Sequence, residues 1–502
     1  MKLAVVVFFI AVTIQVVAVD ITDLSPEMLN RVRSVGSKVT DIQPPSSVEA
    51  PPQLTMADCF DLAFRHSASF RQVQKEYLDA RGKLWVAEQK VFYVASGNTE
   101  YRKESGADAG NTLSGNLAAR WERVDGSSIR ASLSAGSDKD FGDFFSGGPG
   151  VNLSYERPLY QGVGKASSTA ERIRSAKSAL LSSELSFYDA YQELAQRVVE
   201  DYCAVLLARG EVEISERAVE RAKQLYDINY VKFSGEGIAL PGEAWVSQVA
   251  EIDVDQARLA WDRAKQQLLS RQQTYQDTLD RLLLTMGVTP GGNPKLTTAI
   301  TFAPQDYDEA ALVKTALANS TELGRFKQSW EDAQATRRIA RSEQLPNVIA
   351  SVGVDNLGRN SADSSGGTTW YTGIRVELPL KNRALTEDMD REERAFRVLE
   401  QRILAARDVV VQEVQQQVRS TISSRQRIDI GEQSLALAQK SREAARGMYD
   451  EGLSDYLRVL NAEDRLVEAE RSLLQEQVQY FLTTMRLRRA VGESITQELS
   501  EE

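Results

Sequence analysis

Apolar positions recur at steps of three, four and seven along two long stretches of the chain. In the first, Ile173, Ala176, Leu180, Phe187, Tyr191, Leu194, Val198, Tyr202 and Val205 form one stripe. In the second, Phe396, Leu399, Ile403, Ala406 and Val410 repeat it, and Val414, Val418 and Ile422 continue at steps of four. Such spacing is the seam of a coiled coil. Steps of four shift the stripe toward an 11-residue period, so the helices cannot supercoil left-handedly throughout. No proline falls between Pro158 and Pro241, and none follows Pro379. Each stretch therefore predicts a helix of about 65 residues, about 100 Å long at 1.5 Å per residue. A compact monomeric core needs no such helix; a tube or rod does.

A second pattern, with period two, lies between the helical stretches. Trp370, Thr372, Ile374, Val376 and Leu378 alternate with Tyr371, Gly373, Arg375 and Glu377. Val348, Ala350, Val352 and Val354 alternate with Ile349, Ser351, Gly353 and Asp355, and a Gly/Ser/Asp loop, 356–368, joins the two. Earlier, Val151, Leu153 and Tyr155 alternate with Asn152, Ser154 and Glu156. One apolar and one polar face is what a lipid-facing, water-filled barrel requires, and a soluble sheet with one solvated face shows the same alternation. On the barrel reading Arg375, Glu377, Ser154 and Glu156 face the lumen. Tyr155, Tyr160, Trp370 and Tyr371 could form an interfacial aromatic girdle.

The chain reads as one unit written twice. The stretch from Asp61 aligns without gaps on the stretch from Lys314: Ala63 falls on Ala316, Ser67 on Ser320, Phe70 on Leu323 and Ala80 on Ala333. Each copy passes through strands to an acidic residue and a Pro-Leu (Glu156 to Leu159, Glu377 to Leu380), then a long helix, a Gly-marked turn and a return helix. The units are 54–290 and 305–492, joined by a Pro/Gly linker at 291–304, with strands at about 93–157 and 346–378 and turns near 233–243 and 450–456. A C-terminal tail, 493–502, follows. Ala63 and Pro158 lie 95 positions apart, whereas Ala316 and Pro379 lie 63 apart. The excess is about one hairpin, and residues 113–137 supply it around a turn at Asp125-Gly126.

Residues 1–18 carry Lys2, an apolar run from Leu3 to Ile14 and a small-residue end at Ala18, the pattern of a secretory signal peptide. No other run of 18 apolar residues occurs, so an exported chain would enter a membrane with strands. Residues 19–53 read as a Pro-rich leader without helical periodicity. The net charge of −11, without a basic tract, argues against nucleic acid. One histidine, His66, and two cysteines leave little for metal or covalent chemistry. His66 reads as a packed or capped polar residue, Gly162-Val163-Gly164 as a turn, and Glu392, Glu393 and Glu400 as a solvated face. No nucleophile, base and orienter can be assembled, so no enzyme and no cofactor are expected. Cys59 and Cys203 fall at a similar height along the helices, either as separate buried thiols or as a disulfide.

Three segments, from Met448, from Leu54 and from Leu153, resemble the TolC-like outer-membrane efflux family. The run from Met448, MYDEGLSDYLRVLNAEDRLVEAERSLL, looks like its signature where the second long helix turns back. The run from Leu54, LTMADCFDLAFRHSASFRQVQKEYLDARGKL, looks like its N-terminal signature, and LSYERPLYQG from Leu153 like its strand-to-helix junction. The resemblance covers about 54–492. It implies a mainly α fold with β structure. A homotrimer would build a twelve-stranded transmembrane β-barrel, four strands per chain, above a long α-helical coiled-coil tunnel. The protein would sit in the outer membrane, in contact with its lipid, and reach into the periplasm. A periplasmic adaptor protein and an inner-membrane transporter would dock at the far end. The tips, Gly237, Gly452, Ser454, Asp455, Tyr456, Arg458 and Asn461, would form the adaptor contact and the gate. Where some relatives carry acidic rings this chain has Arg458 and Asn461, with Asp455 and Asp464 nearby, so the resemblance carries over no acidic gate. The first tip, Phe233 to Trp245, is longer than its partner and contains Pro241. The extra hairpin is either an extracellular loop or a widening of the barrel. The implied function is a passive export duct of a tripartite pump or type I secretion system. The alternative is a periplasmic coiled-coil adaptor or scaffold without a pore. An adaptor would carry a compact β-rich module between its helices, and the sequence has none.

Overall fold

The computed structural model describes residues 25–37, 51–89, 94–103, 111–137, 150–234, 249–298, 305–357, 368–378, 383–451 and 453–495. The signal-peptide stretch lies outside them. The chain opens with α1 (Pro26–Ser37), the two-residue strand β1 (Gln53–Leu54), α2 (Met56–His66) and α3 (Ala68–Gln89). Four strands follow: β2 (Val94–Lys103), β3 (Asn111–Glu122), β4 (Ser128–Ser137) and β5 (Gly150–Pro158). A short 3-10 turn leads into α4 (Ser168–Ser234), and α5 (Glu251–Thr285) runs beside it. The strand β6 (Lys295–Leu296) pairs with β1 in parallel. The same order of elements then recurs as α6 (Glu309–Asn319), α7 (Thr321–Glu343), strands β7 (Asn347–Leu357) and β8 (Thr369–Glu377), α8 (Arg383–Asp450) and α9 (Tyr456–Val491).

The long helices have 67 and 68 residues. Buried positions of α4 follow the expected stripe from Phe187 through Tyr191, Leu194, Val198 and Tyr202 to Val205. In α8 the stripe holds at Ile403, Ala406, Val410, Val414 and Val418 and then departs from expectation. Ile422 is exposed, and Thr421, Ser424 and Ile428 are buried instead. Repeated steps of four overshoot a 3.6-residue turn, so steps of three must bring the stripe back. The leader also departs from expectation. Its residues 26–37 are helical, with Met28, Val32 and Val35 buried in the main core. The spacing of four and three is a one-face helical pattern that the surrounding prolines obscured.

Local signals set the helix ends. Thr55 and Asp58 form a capping box at α2, and Asp308, Ser320 and Asp455 cap α6, α7 and α9. Both return helices stop at a glycine of positive φ, Gly287 (73°) and Gly492 (81°). A Cβ at Gly287 would lie 2.4 Å from the His66 carbonyl oxygen, and one at Gly492 would lie 2.6 Å from Asn319 Cβ. His66 and Asn319 end α2 and α6, so the same close approach occurs in both halves.

One antiparallel sheet has the order β2-β3-β4-β5-β7-β8. The sheet has six strands, two more than the four per chain that the resemblance implied for the barrel, because residues 111–137 form a further hairpin. The β3–β4 connection, 123–127, is longer than a two-residue hairpin loop. Asp125 Oδ1 accepts from Ser127 N (3.0 Å) and Ser127 Oγ (2.6 Å), and Gly126 takes φ 88°.

Candidate duct wall and helical tip

Register decides which side chains share a face of the sheet. Trp121, Ile129, Tyr155, Val352 and Thr372 lie in one row across β3, β4, β5, β7 and β8. Ala119, Ala131, Leu153, Val354 and Trp370 form the next row on that face. The opposite face carries Arg120, Arg130, Ser154, Gly353 and Tyr371, then Glu122, Ser128, Glu156, Ser351 and Gly373. Ser154, Glu156, Arg375 and Glu377 therefore share one face, as the alternation predicts, and Asn347 Nδ2 donates to Glu377 Oε2 at 3.0 Å. The apolar face is largely bare: Trp370 is 74% exposed, Ile374 71% and Val376 55%, while Val354 is buried. Solvent-exposed apolar rows of this extent need a partner or lipid. Tyr160 is also exposed, on the loop after β5, while Tyr371 belongs to the polar face and packs over Gly353.

At the far end of the helices, α4, α5, α8 and α9 share a small core: Leu225, Ala257, Ala445, Tyr449, Tyr456, Val459 and Ala462. Tyr449 Oη donates to Oδ1 of the buried Asn229, which ties α8 to α4. Lys232 reaches Asp450 at 3.4 Å and lies 4.7 Å from the Tyr449 ring centroid. Burial, with Asp253 and Asp450 nearby, pushes the Tyr449 phenol up to about 12. Tyr456 is pushed up too, first by burial and then by Tyr449, Asp464 and Glu463.

Further along, Glu463 gathers charge from two helices. Arg442 Nε donates to Glu463 Oε1 at 2.7 Å, and Arg221 Nε lies 2.9 Å from Glu463 Oε2 at an angle poor for a hydrogen bond. Arg221 also approaches Glu470 at 3.6 Å. Glu463 and Arg221 are only 11% and 14% exposed, so this is a largely buried network. Sequence reasoning missed Tyr449, Asn229, Arg221 and Glu463. The only available signal was a Glu on the apolar side of α9, four residues after Val459 and three before Leu466, both buried.

The expected tip residues divide between two sides of α9. Tyr456 points into the core, whereas Asp455, Arg458 and Asn461 line a groove between α8 and α9 of about 630 Å³, together with Met448 and Arg465. Asp464 faces away from that groove, beside Arg263 and Glu463. Ser454 is half-buried in the turn. Gly237 and Gly452 lie outside the described residues. Cys59 and Cys203 are both free and fully buried in the main core, which corrects the disulfide alternative.

Residues 312–493 match the profile described as Outer membrane efflux protein. Over 198 residues the chain is 26% identical to the outer membrane protein TolC of Vibrio cholerae serotype O1, covering 38% of this chain and 45% of that protein. It is 22% identical to the solvent efflux pump outer membrane protein SrpC of Pseudomonas putida, covering 62% of this chain and 69% of SrpC. The match thus spans less than half of the Vibrio TolC. In fold, the chain resembles the outer membrane protein VceC of Vibrio cholerae, with TM-score 0.63, 17% identity and coverage of 88% of this chain and 96% of VceC. It also resembles CusC, with TM-score 0.64, 16% identity and coverage of 91% and 99%. Residues 312–493 thus carry an outer membrane efflux protein domain, and in sequence and fold the chain is similar to TolC-like outer-membrane efflux proteins.

Proposed function

We propose that the protein is the outer-membrane channel of a tripartite efflux pump or type I secretion system. It is a passive duct that takes substrates from the periplasm or from an inner-membrane transporter to the exterior. The observation that carries this reading is the sheet. Its apolar face is largely bare, its other face is polar, and it stands on two helices of 67 and 68 residues. No helix among the described residues is long and apolar enough to cross a membrane, and the exposed apolar rows make the sheet the element suited to lipid. A pore-free adaptor has no use for such a face.

On this reading the chain comprises a signal peptide, 1–18, a leader, 19–53, two duplicated units at 54–290 and 305–492, a linker, 291–304, and a tail, 493–502. Three copies close the barrel and the helical tunnel below it. Ser154, Glu156, Arg375 and Glu377 line the lumen. The tips around Gly237 and Gly452, with Ser454, Asp455, Tyr456, Arg458 and Asn461, meet the periplasmic adaptor and form the gate. The duct needs no cofactor and performs no catalysis.

The test is mass and conductance. Protein purified in detergent should have the mass of a trimer and should conduct in planar bilayers. A monodisperse monomer that does not conduct overturns the duct. Arg458 lies exposed in the α8–α9 groove, so Arg458→Ala should raise single-channel conductance or change ion preference. An unchanged current–voltage curve and ion preference place the gate elsewhere.

A further inference from the structure

We infer that the hairpin β3–β4 is barrel wall rather than an extracellular loop, so that each chain gives six strands and the trimer closes an eighteen-stranded barrel whose added surface faces lipid acyl chains. This rests on the trimeric duct proposed above. It departs from the twelve strands that the resemblance implies.

Position in the sheet is the first argument. The hairpin sits in the interior of the order β2-β3-β4-β5-β7-β8, paired on both sides. β3 pairs with β2 over ten residues, and β4 with β5 over seven. A loop projecting from the barrel would leave β2 paired with β5, and it does not.

The turn is the second. An extracellular excursion would place Asp125-Gly126 away from the helices. The turn is instead packed on the start of α4. Ser167 Oγ donates to the Val124 carbonyl oxygen at 2.6 Å, Gly164 N to the Asp125 carbonyl oxygen at 3.2 Å, and Thr169 Oγ1 to Glu122 at 3.2 Å. A Cβ at Gly126 would meet the Gly162 carbonyl oxygen at 2.6 Å. The hairpin therefore reaches the same strand-to-helix junction as β5. Its strands have 12 and 10 residues. A tilted strand needs about 9–11 to cross a bilayer.

Chemistry of the two faces is the third. Leu117, Trp121 and Leu133 are exposed and continue the bare apolar face of Leu153, Val352, Trp370 and Ile374. Asn116, Arg120, Arg130, Ser132 and Ser134 continue the polar face. Alternation that matches the neighbouring strands is what a wall strand needs, whereas a solvated loop needs none.

Closure is the fourth. The free edges are β2 and β8, and with six strands in strict alternation they run antiparallel. The β8 of one copy can then pair with β2 of the next in the same antiparallel sense. One added strand would break that seam; two preserve it. With strands about 4.8 Å apart and tilted by about 40°, twelve strands enclose a backbone diameter of about 24 Å and eighteen about 36 Å. The consequence is a wider exit on the extracellular side.

The test uses the full-length protein in lipid vesicles, single cysteine substitutions and a charged, membrane-impermeant maleimide. Cys59 and Cys203 are fully buried and give the background. Ser132→Cys should label, while Leu117→Cys and Leu133→Cys should label at least about tenfold more slowly, because lipid excludes the charged reagent. Leu153→Cys and Ile374→Cys, on β5 and β8, report on the barrel itself. Rapid labelling at Leu117→Cys and Leu133→Cys with these two protected overturns the eighteen-stranded wall alone. Rapid labelling of Leu153→Cys and Ile374→Cys overturns the membrane barrel. A protected Ser132→Cys also overturns the wall, because its face would not be open to water. Hydrogen exchange on the unsubstituted protein in the same vesicles needs no variant. Amides of β3 and β4 should exchange as slowly as those of β7, and fast exchange confined to β3 and β4 overturns the inference.

Discussion

The main core and the tip core are built from different materials. The main core joins α1, α2, α3, α4, α5 and α9 through fully buried apolar side chains such as Leu185, Phe187, Val198, Leu282 and Leu283. Aromatic rings continue it: Phe60 and Phe64 each meet Tyr191 edge-on, at 5.1 and 5.6 Å. The tip core has seven buried apolar residues and depends on directional contacts: Tyr449 with Asn229, Lys232 with Asp450, and Glu463 between Arg221 and Arg442. Apolar burial is non-directional and resists sliding only through close packing. A buried polar contact has a small number of good geometries, and breaking one costs its full desolvation. The main core thus suits a part that stays fixed. The tip suits a part with discrete arrangements, as a gate requires.

The largest expected effect tests the main core. Val198 is fully buried on α4 among apolar neighbours. Val198→Asp places an unpaired carboxylate there, a cost of more than about 4 kcal/mol. No heat-modifiable band of folded protein should appear on a gel. A stably folded Val198→Asp protein would mean that this core is not what holds the fold.

Next in size is the tip network. Glu463→Ala leaves Arg221 and Arg442 facing each other without the carboxylate, at a cost of about 3 kcal/mol for a largely buried pair. The heat-modifiable band of folded protein should persist, because the main core is untouched. Hydrogen exchange should accelerate in 217–234 and 442–467 and remain unchanged in 185–205. Acceleration spread evenly along the helices would erase the distinction between the two cores.

Much of this architecture was legible in the sequence, for reasons that differ between its parts. The long helices could be read because Pro is absent and the stripe is continuous. The strands could be read because Trp370 to Leu378 alternate strictly. The added hairpin showed itself as a length difference between copies and as Asp125-Gly126. The helix α1 was hidden by flanking prolines, and the return of the α8 stripe through Thr421 and Ser424 was hidden by their polarity. Contacts at the tip were least legible. Asn229 and Tyr449 are 220 positions apart, and nothing local to either marks the pair. The outward division of α9, with Tyr456 inside and Arg458 and Asn461 in the groove, follows helical geometry only once the buried face is known.

The smallest effect concerns the two thiols, and it separates the cores by pH. Burial pushes Cys59 and Cys203 from 9.0 up to about 12, with Asp58 and Glu200 respectively adding to the rise. A raised pKa means that folding disfavours the thiolate. The stability from the protonated thiols is therefore fully present below about pH 9 and is lost as pH rises toward 12. Tyr449 at the tip begins from 10.0, so its loss starts about one pH unit higher. Hydrogen exchange at matched intrinsic rates should show the main core loosening first as pH is raised from 8. Tyr77, Tyr188 and Tyr202 in that core are also shifted up by burial but begin from 10.0, as Tyr449 does, so Cys59→Ala with Cys203→Ala should abolish the gap in onset. At pH 7 every one of these groups is protonated, and alkylation of the native protein should leave both cysteines unmodified until it is unfolded. If the tip loosens before the main core in the alkaline range, buried thiols do not set the order. If either cysteine alkylates readily in the native protein at pH 7, the main core is more open at α2 or α4 than its packing requires.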